Sequence, residues 1–433
     1  GFHFKDKNGE WYHDVTGKPG RLFRDPYPLS SSLFLVSHKP AGLKWSDRAG
    51  YDIALIDDKG KETVLLKDST VSLWLPYPLV PREKPPTLTG TTDGELAEKG
   101  LARCFVTDIY VGMDNVQRGE VKYLRILEQL PRPWSARIDD NGDIAGMAHK
   151  AIGDGFLSVK VQHGIVPVEE DGSAHFLVPS DRPIYFQALD KHLRAIQTER
   201  TYVNYRPGEI RSCIGCHETP DIAPSPSAYV SKAMQRAASI PQPQPTQADA
   251  KTVFDYERQI QPILDRHCAE CHTGAQPAAG LDLCGDAKGT YSVSYHSLIK
   301  LSKTSRQLLG NRKYRDEDNE SNSIEYIHPY QTGSLSSPLG AMIRGERQTS
   351  LNSDEVNSYT ENLMLKHKDI RLTEAEKITV TNWLDINCQY YPAYWGRKNE
   401  KYRDSPDFRP VFSFEEARKN FRFLDFRLLL TPE

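Results

Sequence analysis

The N-terminal part of the chain alternates between short apolar runs and turn signals, a pattern typical of β-strands. Apolar runs such as SSLFLVS and YDIALID are separated by turns at Asn8-Gly9, Thr16-Gly17 and Asp58-Lys59-Gly60. The stretch YDIALIDDKGKETVLLKD predicts a hairpin of the kind found in a four-stranded propeller blade. We expect residues 1–95 to form a propeller-like β segment. Because one or two blades cannot close a ring, either another polypeptide completes this region or it packs as an ordinary sheet.

A second β pattern covers residues 96–220. The stretch GIVPVEEDGSAHFLVP predicts two strands joined at Asp171-Gly172, and RPIYFQALD alternates again. We expect a β-sandwich-like, antiparallel unit that leads directly into RSCIGCHE. Residues 221–250 are rich in Pro, Ser, Ala and Gln, which predicts an extended linker with one short helix at Ser231–Ala238.

The apolar period changes from two to 3.6 after the linker, which predicts an α-helical domain over residues 251–433. Apolar residues recur at helical spacing ahead of the sequence CAECH, and Pro262 lies in the last turns of this predicted helix. Thr373 and Glu376 form the pattern of a capping box that opens a later amphipathic helix. The predicted architecture is therefore multidomain β + α, with a closing helical domain of cytochrome c type.

Charge and hydropathy exclude two classes of partner. The chain has 55 Lys and Arg against 58 Asp and Glu in 433 residues, with both signs interspersed, so no nucleic-acid partner is expected. No apolar run approaches the roughly 18 residues that would span a bilayer, so no transmembrane segment is expected.

The candidate cofactor-binding residues form two copies of the pattern C-x-x-C-H. The first comprises Cys213, Cys216 and His217, and the second comprises Cys268, Cys271 and His272. Two thiols at this spacing can form thioethers to the vinyl groups of one porphyrin, and the adjacent histidine can ligate the iron. We predict two covalently attached c-type haems. Zinc is the alternative at either site, although the 51 residues between Cys216 and Cys268 exceed the spacing of zinc ribbons.

Covalent haem attachment implies export, so we expect a periplasmic or extracellular protein. The chain opens with the polar stretch GFHFKDKNGEW and shows no signal peptide, so we expect a mature product or a piece of a longer chain. Three further cysteines lie outside the two patterns: Cys104, Cys284 and Cys388. Either Cys284 and Cys388 form a disulfide, or all three are buried thiols.

Three stretches carry a family resemblance: VPVEEDGSAHFLVPSDRPIYFQALD with NYRPGEIRSCIGCHE, IQPILDRHCAECH, and MLKHKDIRLTEAEKITVTNWLDIN. They resemble the C-terminal half of the hydrazine synthase alpha subunit, and more closely the alpha-subunit-like dihaem cytochromes c of other bacteria. The resemblance implies a propeller and β module followed by two haem domains. In that family a tyrosine four residues after the first motif histidine ligates iron. Asp221 stands at that position here, which weakens a hydrazine-making role and leaves His217 as an ordinary ligand.

The second axial ligands are less well determined. His367 matches the distal histidine position of the resembling family and is our candidate for the second haem, ahead of His328 and His296. For the first haem the candidates are His149, His163 and His175, with an open iron equally possible. Met234 is a weaker candidate. Residues near the first motif that could bind haem propionates are Tyr205, Arg206 and Arg211.

Three functions remain open. The first is electron transfer by an exported dihaem cytochrome c that serves a redox partner protein within a larger complex. The alternative is an oxidoreductase whose first haem is open and acts on a small nitrogen- or oxygen-containing substrate. A third possibility is a β scaffold that docks an electron carrier. The coordination number of each iron discriminates among them, because two side-chain ligands leave no position for a substrate.

Overall fold

A computed structural model describes residues 3–5, 11–13, 20–43, 47, 49–79, 81, 84, 92–130, 159–199, 202–216, 230–289, 291–302, 308–310, 328–346 and 354–392. Of residues 3–5, 11–13 and 301–302 it describes the backbone only. The described residues belong to two compact units that divide between positions 88 and 89. The predicted turns at 8–9 and 16–17, the predicted ligand positions 149 and 217, and Asp221 lie outside the described residues.

The first unit contains a four-stranded antiparallel sheet and a separate hairpin. The hairpin strands are β1 (His3–Lys5) and β2 (Trp11–His13). The sheet strands, in their spatial order, are β3 (Leu22–Pro28), β4 (Leu33–Lys39), β5 (Asp52–Asp57) and β6 (Glu62–Leu66). The predicted hairpin is β5–β6, whose turn is held by the Asp57 carboxylate accepting hydrogen bonds from the amides of Lys59 and Lys61. Within the described residues these strands do not close into a ring.

Apolar side chains remain exposed on strand β6 and on the stretch 71–79 that follows it. They are Val64, Leu66, Val71, Trp74, Leu75, Tyr77 and Leu79. A protein surface seldom carries this many large apolar side chains close together in sequence unless something covers them. The described part of this unit therefore presents exposed apolar surface, as expected for a region that another polypeptide covers.

The second unit begins with a two-sheet β sandwich. Its first elements are α1 (Gly94–Glu98), β7 (Leu101–Val106), β8 (Tyr123–Gln129), β9 (Lys160–Pro167), β10 (Ala174–Pro179), β11 (Pro183–Leu189), β12 (Ala195–Thr198), β13 (Val203–Asn204), β14 (Ile210–Cys213) and β15 (Thr252–Val253). One sheet has the order β10-β7-β14, which we call the motif sheet, and the other has the order β12-β11-β8-β9-β15 with β13 beside β11. The two sheets share one apolar core that includes Ala102, Cys104, Ile126, Phe176 and Phe186.

Two features of this sandwich match the sequence and one differs. The turn at Asp171-Gly172 joins β9 to β10 as predicted, and Gly172 has a φ of +86°, with the Asp108 carboxylate lying where a side chain would be. An antiparallel sandwich was expected, but β14 pairs with β7 in parallel. The reason is that the chain crosses over between β11 and β14, so that β14 runs in the same direction as β7.

Residues 230–250, the described part of the predicted linker, are extended but docked on the sandwich. Lys232–Gln235 form a short 3-10 helix within the predicted helical segment. Further on, Ser239 forms an isolated β-bridge with Phe176 of β10, and Gln242 forms one with Ile165 of β9. Gln244 is buried among the helices and strands. The segment therefore forms part of the second unit and is not a free connection.

The helical part of the second unit contains seven helices and one small hairpin in the described residues. They are α2 (Tyr256–Gln259), α3 (Gln261–His267), β16 (Ala287–Lys288), β17 (Tyr291–Ser292), α4 (Val293–Ser302), α5 (Gly333–Ser336), α6 (Pro338–Arg344), α7 (Asp354–Lys366) and α8 (Glu374–Asp385). The predicted capping box is confirmed, since Thr373 and Glu376 exchange side-chain and backbone hydrogen bonds. The structure is thus mixed β and α. The domain boundaries drawn inside this unit stay predictions.

Alternate side chains of strand β8 point into two different apolar cores, one in the sandwich and one among the helices. Leu124 and Ile126 face the sandwich core, whereas Leu127 packs with the helices. Arg125 lies on the helical side and is fully buried. Burial lowers the pKa of its guanidinium group, but not far enough for it to lose its charge near neutral pH. A charged group in this position requires partners on every side.

The partners of Arg125 come from both halves of the unit. Its Nε donates to Gln244 Oε1 at 2.7 Å, Nη1 donates to Gln187 Oε1 at 2.7 Å, and Nη2 donates to the Leu193 carbonyl at 3.1 Å. Asp385 supplies the counter-charge, with its Oδ2 3.5 Å from Arg125 Nη1. The pair therefore joins strand β8 to the C-terminal end of helix α8.

The Asp385 carboxylate is bound further by backbone amides. Its Oδ2 accepts a hydrogen bond from Ala195 N at 3.0 Å, and its Oδ1 accepts one from Ser334 N at 2.8 Å. Gly333 has a φ of +66° and lies so close that an added Cβ would be 2.6 Å from Asp385 Oδ1. Strand β12, helix α5 and helix α8 thus meet at one buried carboxylate.

Replacing Arg125 by Met should destabilise the fold strongly. The substitution leaves Asp385 buried without its cation, which typically costs about 3–5 kcal/mol. The loss should appear as a lower free energy of unfolding in chemical denaturation. Arg258→Met is the matched control, because Arg258 is 86% exposed and pairs with Asp255 at 3.6 Å. Its loss should stay below about 1 kcal/mol. Equal effects of both substitutions would contradict this role of the buried pair.

Candidate haem-attachment sites

The first motif begins at the end of strand β14 and is held by the loop that follows β7. Thr107 N donates to the Cys213 carbonyl at 2.9 Å, and Cys216 N donates to the Val111 carbonyl at 3.2 Å. Gly215 is pressed against this loop, since an added Cβ would lie 2.3 Å from the Val111 carbonyl oxygen. The backbone of Cys213 through Cys216 is therefore fixed by the sandwich, and a larger residue at position 215 would displace it.

A third thiol lies beside Cys213 and was not assigned a role from the sequence. Cys104 of β7 is fully buried and accepts a hydrogen bond from the Tyr205 hydroxyl at 3.3 Å. A hydrogen bond with the Cys213 thiol, together with burial, raises the pKa of Cys104 well above the usual thiol value. Cys104 thus stays a protonated thiol near neutral pH. The alternation of LARCFV, which puts Cys104 on the core face with Ala102 and Val106, could have indicated its burial.

The second motif follows helix α3 directly. Cys268 N donates to the Leu264 carbonyl at 2.8 Å, and His272 N donates to the Cys268 carbonyl at 3.0 Å, so the motif continues the helix as tight turns. Cys268 is half-buried and Cys271 is exposed. Burial raises the pKa of the Cys268 thiol to about 11. The two sulfurs of this motif therefore lie in different environments.

The structure brings His272 and His367 together, and their role as ligands of the second haem stays a prediction. His367 follows helix α7, and the centroids of the two imidazole rings are 6.1 Å apart with an angle of 15° between the ring planes. His272 Nδ1 is 3.1 Å from the Leu281 carbonyl, and His367 Nδ1 is 2.7 Å from the Leu363 carbonyl. A carbonyl can only accept, so Nδ1 carries the proton in both rings, and Nε2 is left as a lone-pair donor.

The spacing of these rings fits one metal ion between them, since metal–imidazole nitrogen bonds are about 2 Å long. A tetrahedral zinc site would also require the two thiols close to the imidazoles. In the part of the chain that the structure describes, no group of three His, Cys, Asp or Glu side chains is close enough to share a metal. A haem fits this donor set better, because its thioether sulfurs attach at the porphyrin edge rather than to the iron.

Glu376 connects the second motif to helix α8. Its Oε1 accepts hydrogen bonds from Arg266 Nη2 at 2.8 Å and from His267 Nε2 at 3.1 Å, both from the end of α3. Its Oε2 accepts one from Thr373 N at 2.8 Å. Burial alone would raise the pKa of Glu376, but the hydrogen bonds from Thr373, Arg266 and His267 hold it at about 2. One carboxylate thus fixes the helix that enters the motif.

Several candidates for the first haem are engaged elsewhere. His163 is buried, and its Nε2 lies 2.7 Å from Glu128 Oε2, with Arg182 on the other carboxylate oxygen at 2.9 Å. His175 lies on the outer face of the motif sheet, whereas Cys213 lies on the core face, because the register pairs Ala174 with Val106 and Val106 with Cys213. Neither histidine is placed to face a haem bound at Cys213.

The remaining candidates are dispersed. His296 Nε2 is 3.0 Å from the Lys288 carbonyl, and His328 Nδ1 is 3.5 Å from Asp114 Oδ2 near the loop that holds Cys216. Met234 is half exposed on its 3-10 turn. Among the possible propionate ligands, Arg211 pairs with Glu209 at 2.6 Å and lies over the Tyr205 ring. The Tyr205 hydroxyl is committed to Cys104. Cys284 and Cys388 are free thiols and do not form a disulfide.

Comparison with known proteins places this arrangement in context. A family model described as the hydrazine synthase alpha subunit middle domain matches residues 119–218, a range that ends just after the first motif. Hydrazine synthase subunit alpha of Kuenenia stuttgartiensis is 26% identical over an alignment of 483 positions, which covers 88% of this chain and 56% of that protein. The chain is similar to the hydrazine synthase alpha subunit.

The fold supports the same similarity. The solved structure of Kuenenia stuttgartiensis hydrazine synthase superposes with a TM-score of 0.56 at 20% identity, covering 88% of this chain and 57% of that one. The chain therefore spans about half the length of the curated relative it matches. In the described residues no helix is long and apolar enough to cross a membrane.

The Glu376 contacts should make stability depend on pH. The folded pKa of about 2 lies below the value near 4.3 of a free glutamate. The ionised carboxylate therefore stabilises the fold above about pH 4.5, and this contribution is lost as the pH falls toward 2. Glu376→Gln should lower the free energy of unfolding by roughly 1–2 kcal/mol at neutral pH, with a smaller difference at about pH 3.

Chemical denaturation at several pH values measures this difference. Glu374→Gln is the control, because Glu374 also lies in the first turn of α8 but its side chain is 71% exposed. A difference between wild type and Glu376→Gln that does not change with pH would contradict the assignment of the low pKa to Glu376.

Proposed function

We propose that this chain is a haem-dependent oxidoreductase of the hydrazine synthase alpha type. In this proposal the first c-type haem, held by Cys213, Cys216 and His217, is the reactive centre for a small nitrogen- or oxygen-containing substrate. The second haem, held by Cys268 and Cys271, passes electrons. The match of residues 119–218 to the alpha subunit middle domain favours the enzyme over a simple electron carrier.

The observation that carries the proposal is the difference between the two sites. At the second site the imidazole rings of His272 and His367 are 6.1 Å apart and would both hold the iron of one haem, which would leave no ligand position for a substrate. At the first site, among the described residues, His163 is bonded to Glu128 and His175 lies on the opposite face of the sheet from Cys213. An open position is therefore expected at the first site only.

The residues of this chain have separable roles in the proposed activity. When bound, a c-type haem supplies one-electron redox chemistry. The loop carbonyl of Val111 and the Cys104 thiol position Cys216 and Cys213 for thioether formation. Leu281 and Leu363 carbonyls orient the rings of His272 and His367 and raise their basicity as ligands. Glu376 holds the end of α3, which leads into the second motif, against α8.

Electron transfer alone is the second candidate function. The closed arrangement of His272 and His367 favours it, because such a site exchanges electrons without binding substrate. The two candidates differ only in whether the first site closes as well. Attachment of haem through thioethers also implies export, and we propose a periplasmic or extracellular location.

Carbon monoxide binding to the reduced, haem-loaded chain tests both candidates. Pyridine haemochrome assay should give two haems per chain, of which about one binds carbon monoxide. In His367→Ala about two equivalents should bind, because the second site loses an axial ligand. His296→Ala is the control and should match the wild type, since His296 is exposed and contacts the Lys288 carbonyl and the Tyr291 ring.

Three outcomes would contradict the proposal. Zinc in place of either haem would remove its basis. Two haems with no carbon monoxide bound would leave electron transfer as the function. An unchanged stoichiometry in His367→Ala would move the axial assignment to another residue.

We also propose that partner polypeptides complete the first unit. The similar protein is named as a subunit, and the exposed apolar stretch after β6 includes Trp74, Leu75, Tyr77 and Leu79. Exposed apolar surface of this kind favours contact with another polypeptide. Light scattering after size exclusion should show an assembly larger than one chain, and Leu75→Lys with Leu79→Lys should shift it toward the monomer. Leu365→Lys, at an exposed leucine of α7, is the control. A wild-type monomer would contradict this proposal.

A further inference from the structure

Three buried nitrogen atoms without hydrogen-bond partners lie on the outer face of the motif sheet. They are Arg103 Nε, His175 Nδ1 and Arg236 Nη2. A buried polar group left unpaired costs about 1–3 kcal/mol, and native proteins usually satisfy such groups with a water or an ion. Three such atoms on neighbouring side chains therefore require an explanation.

The strand register makes these side chains neighbours. Strand β10 pairs with β7 so that His175 is opposite Phe105 and Leu177 is opposite Arg103. Arg103 and His175 therefore lie on the same face, one diagonal step apart. His175 itself is only 7% exposed, with its ring edge against Phe105.

Arg236 reaches the same place from the docked segment that crosses β10. Its Nη1 lies 3.5 Å from the His175 carbonyl oxygen and donates to Ser239 Oγ at 2.7 Å and to the Ala237 carbonyl at 3.0 Å. Three oxygens thus hold Nη1 of the guanidinium group in place, whereas its Nη2 has no hydrogen-bond partner. Fixed donors of this kind are pre-organised for a ligand.

Two carboxylates neighbour this cluster, and both are already paired. Asp93 binds Arg103 Nη2 at 2.9 Å, and Glu169 binds Arg236 Nε at 2.7 Å. Neither reaches the unpaired nitrogens. Burial lowers the pKa of His175, hydrogen bonding to the backbone of Arg236 and Ala233 raises it in part, and the positive charges of Arg103 and Arg236 lower it. A bound anion would offset those charges and favour the protonated ring.

We propose that Arg103, His175 and Arg236 form a binding site for a carboxylate or small oxoanion. Guanidinium groups bind such planar or tetrahedral oxygens by paired, charge-assisted hydrogen bonds. Both arginine side chains remain about one third exposed, so the site opens to the surface while its unpaired atoms are covered. The site does not depend on the presence of a haem.

The anion is expected to come from solution. Ser212 of β14 lies in the same row as Phe105 and His175, whereas Cys213, the next residue, lies on the opposite face of the motif sheet. A haem attached at Cys213 would therefore lie on the other side of the sheet from this site. A free carboxylate or oxoanion is the ligand that the site fits.

Calorimetric titration with inorganic sulfate tests the site in two forms of the full chain. One form is the haem-loaded wild type, and the other is Cys213→Ala/Cys216→Ala, which lacks the first haem. Saturable binding of similar affinity to both forms supports the proposal, because the site lies on the opposite face of the sheet from Cys213. No binding to either form overturns the proposal without bearing on whether the haems are present.

Substitution localises the binding. Arg236→Gln should weaken it at least about tenfold, because it removes a charged fork donor. Arg258→Gln, at an arginine that is 86% exposed, should leave it unchanged. Binding should also tighten as the pH falls from about 8 to about 6, because a protonated His175 adds a positive charge. Equal affinity in Arg236→Gln and wild type, or weak unsaturable uptake in both, would overturn the proposal.

Discussion

The buried pair of Arg125 and Asp385 is the constraint on which the second unit depends. Arg125 belongs to the sandwich and Asp385 belongs to helix α8, and neither charge can remain buried without the other. At its other end α8 presents Glu376 to Arg266 and His267, which lead into the second motif. Helix α8 therefore connects the sandwich, whose other sheet leads into Cys213, to helix α3, which leads into Cys268.

This connection would fix the distance between the two motifs in the proposed electron transfer. Electron transfer between two sites depends on a fixed separation, and a flexible linker between them would make that separation variable. The Pro-rich segment instead docks along β9 and β10, and its Gln244 accepts hydrogen bonds from Arg125 and Gln162. Both motifs thus belong to one compact unit, as expected if electrons pass from one site to the other.

The sequence predicted those features that local chemistry determines. The turn at Asp171-Gly172, the capping box at Thr373 and the pairing of His272 with His367 all follow from spacing or from a family resemblance. The parallel pairing of β14, the burial of Arg125 and the contact of Cys104 with Cys213 could not be predicted. Each depends on which distant strand or helix becomes a neighbour, and an arginine in an alternating strand gives no local sign of the carboxylate that it will meet 260 positions later.

The central claim is that the two sites differ in coordination, one closed by His272 and His367 and the other open. Electron paramagnetic resonance of the ferric, haem-loaded chain tests it most directly, because axial ligation determines the spin state of each iron. The account predicts two signals of equal weight, one low-spin from a bis-histidine site and one high-spin from an open site. Two low-spin signals would contradict it.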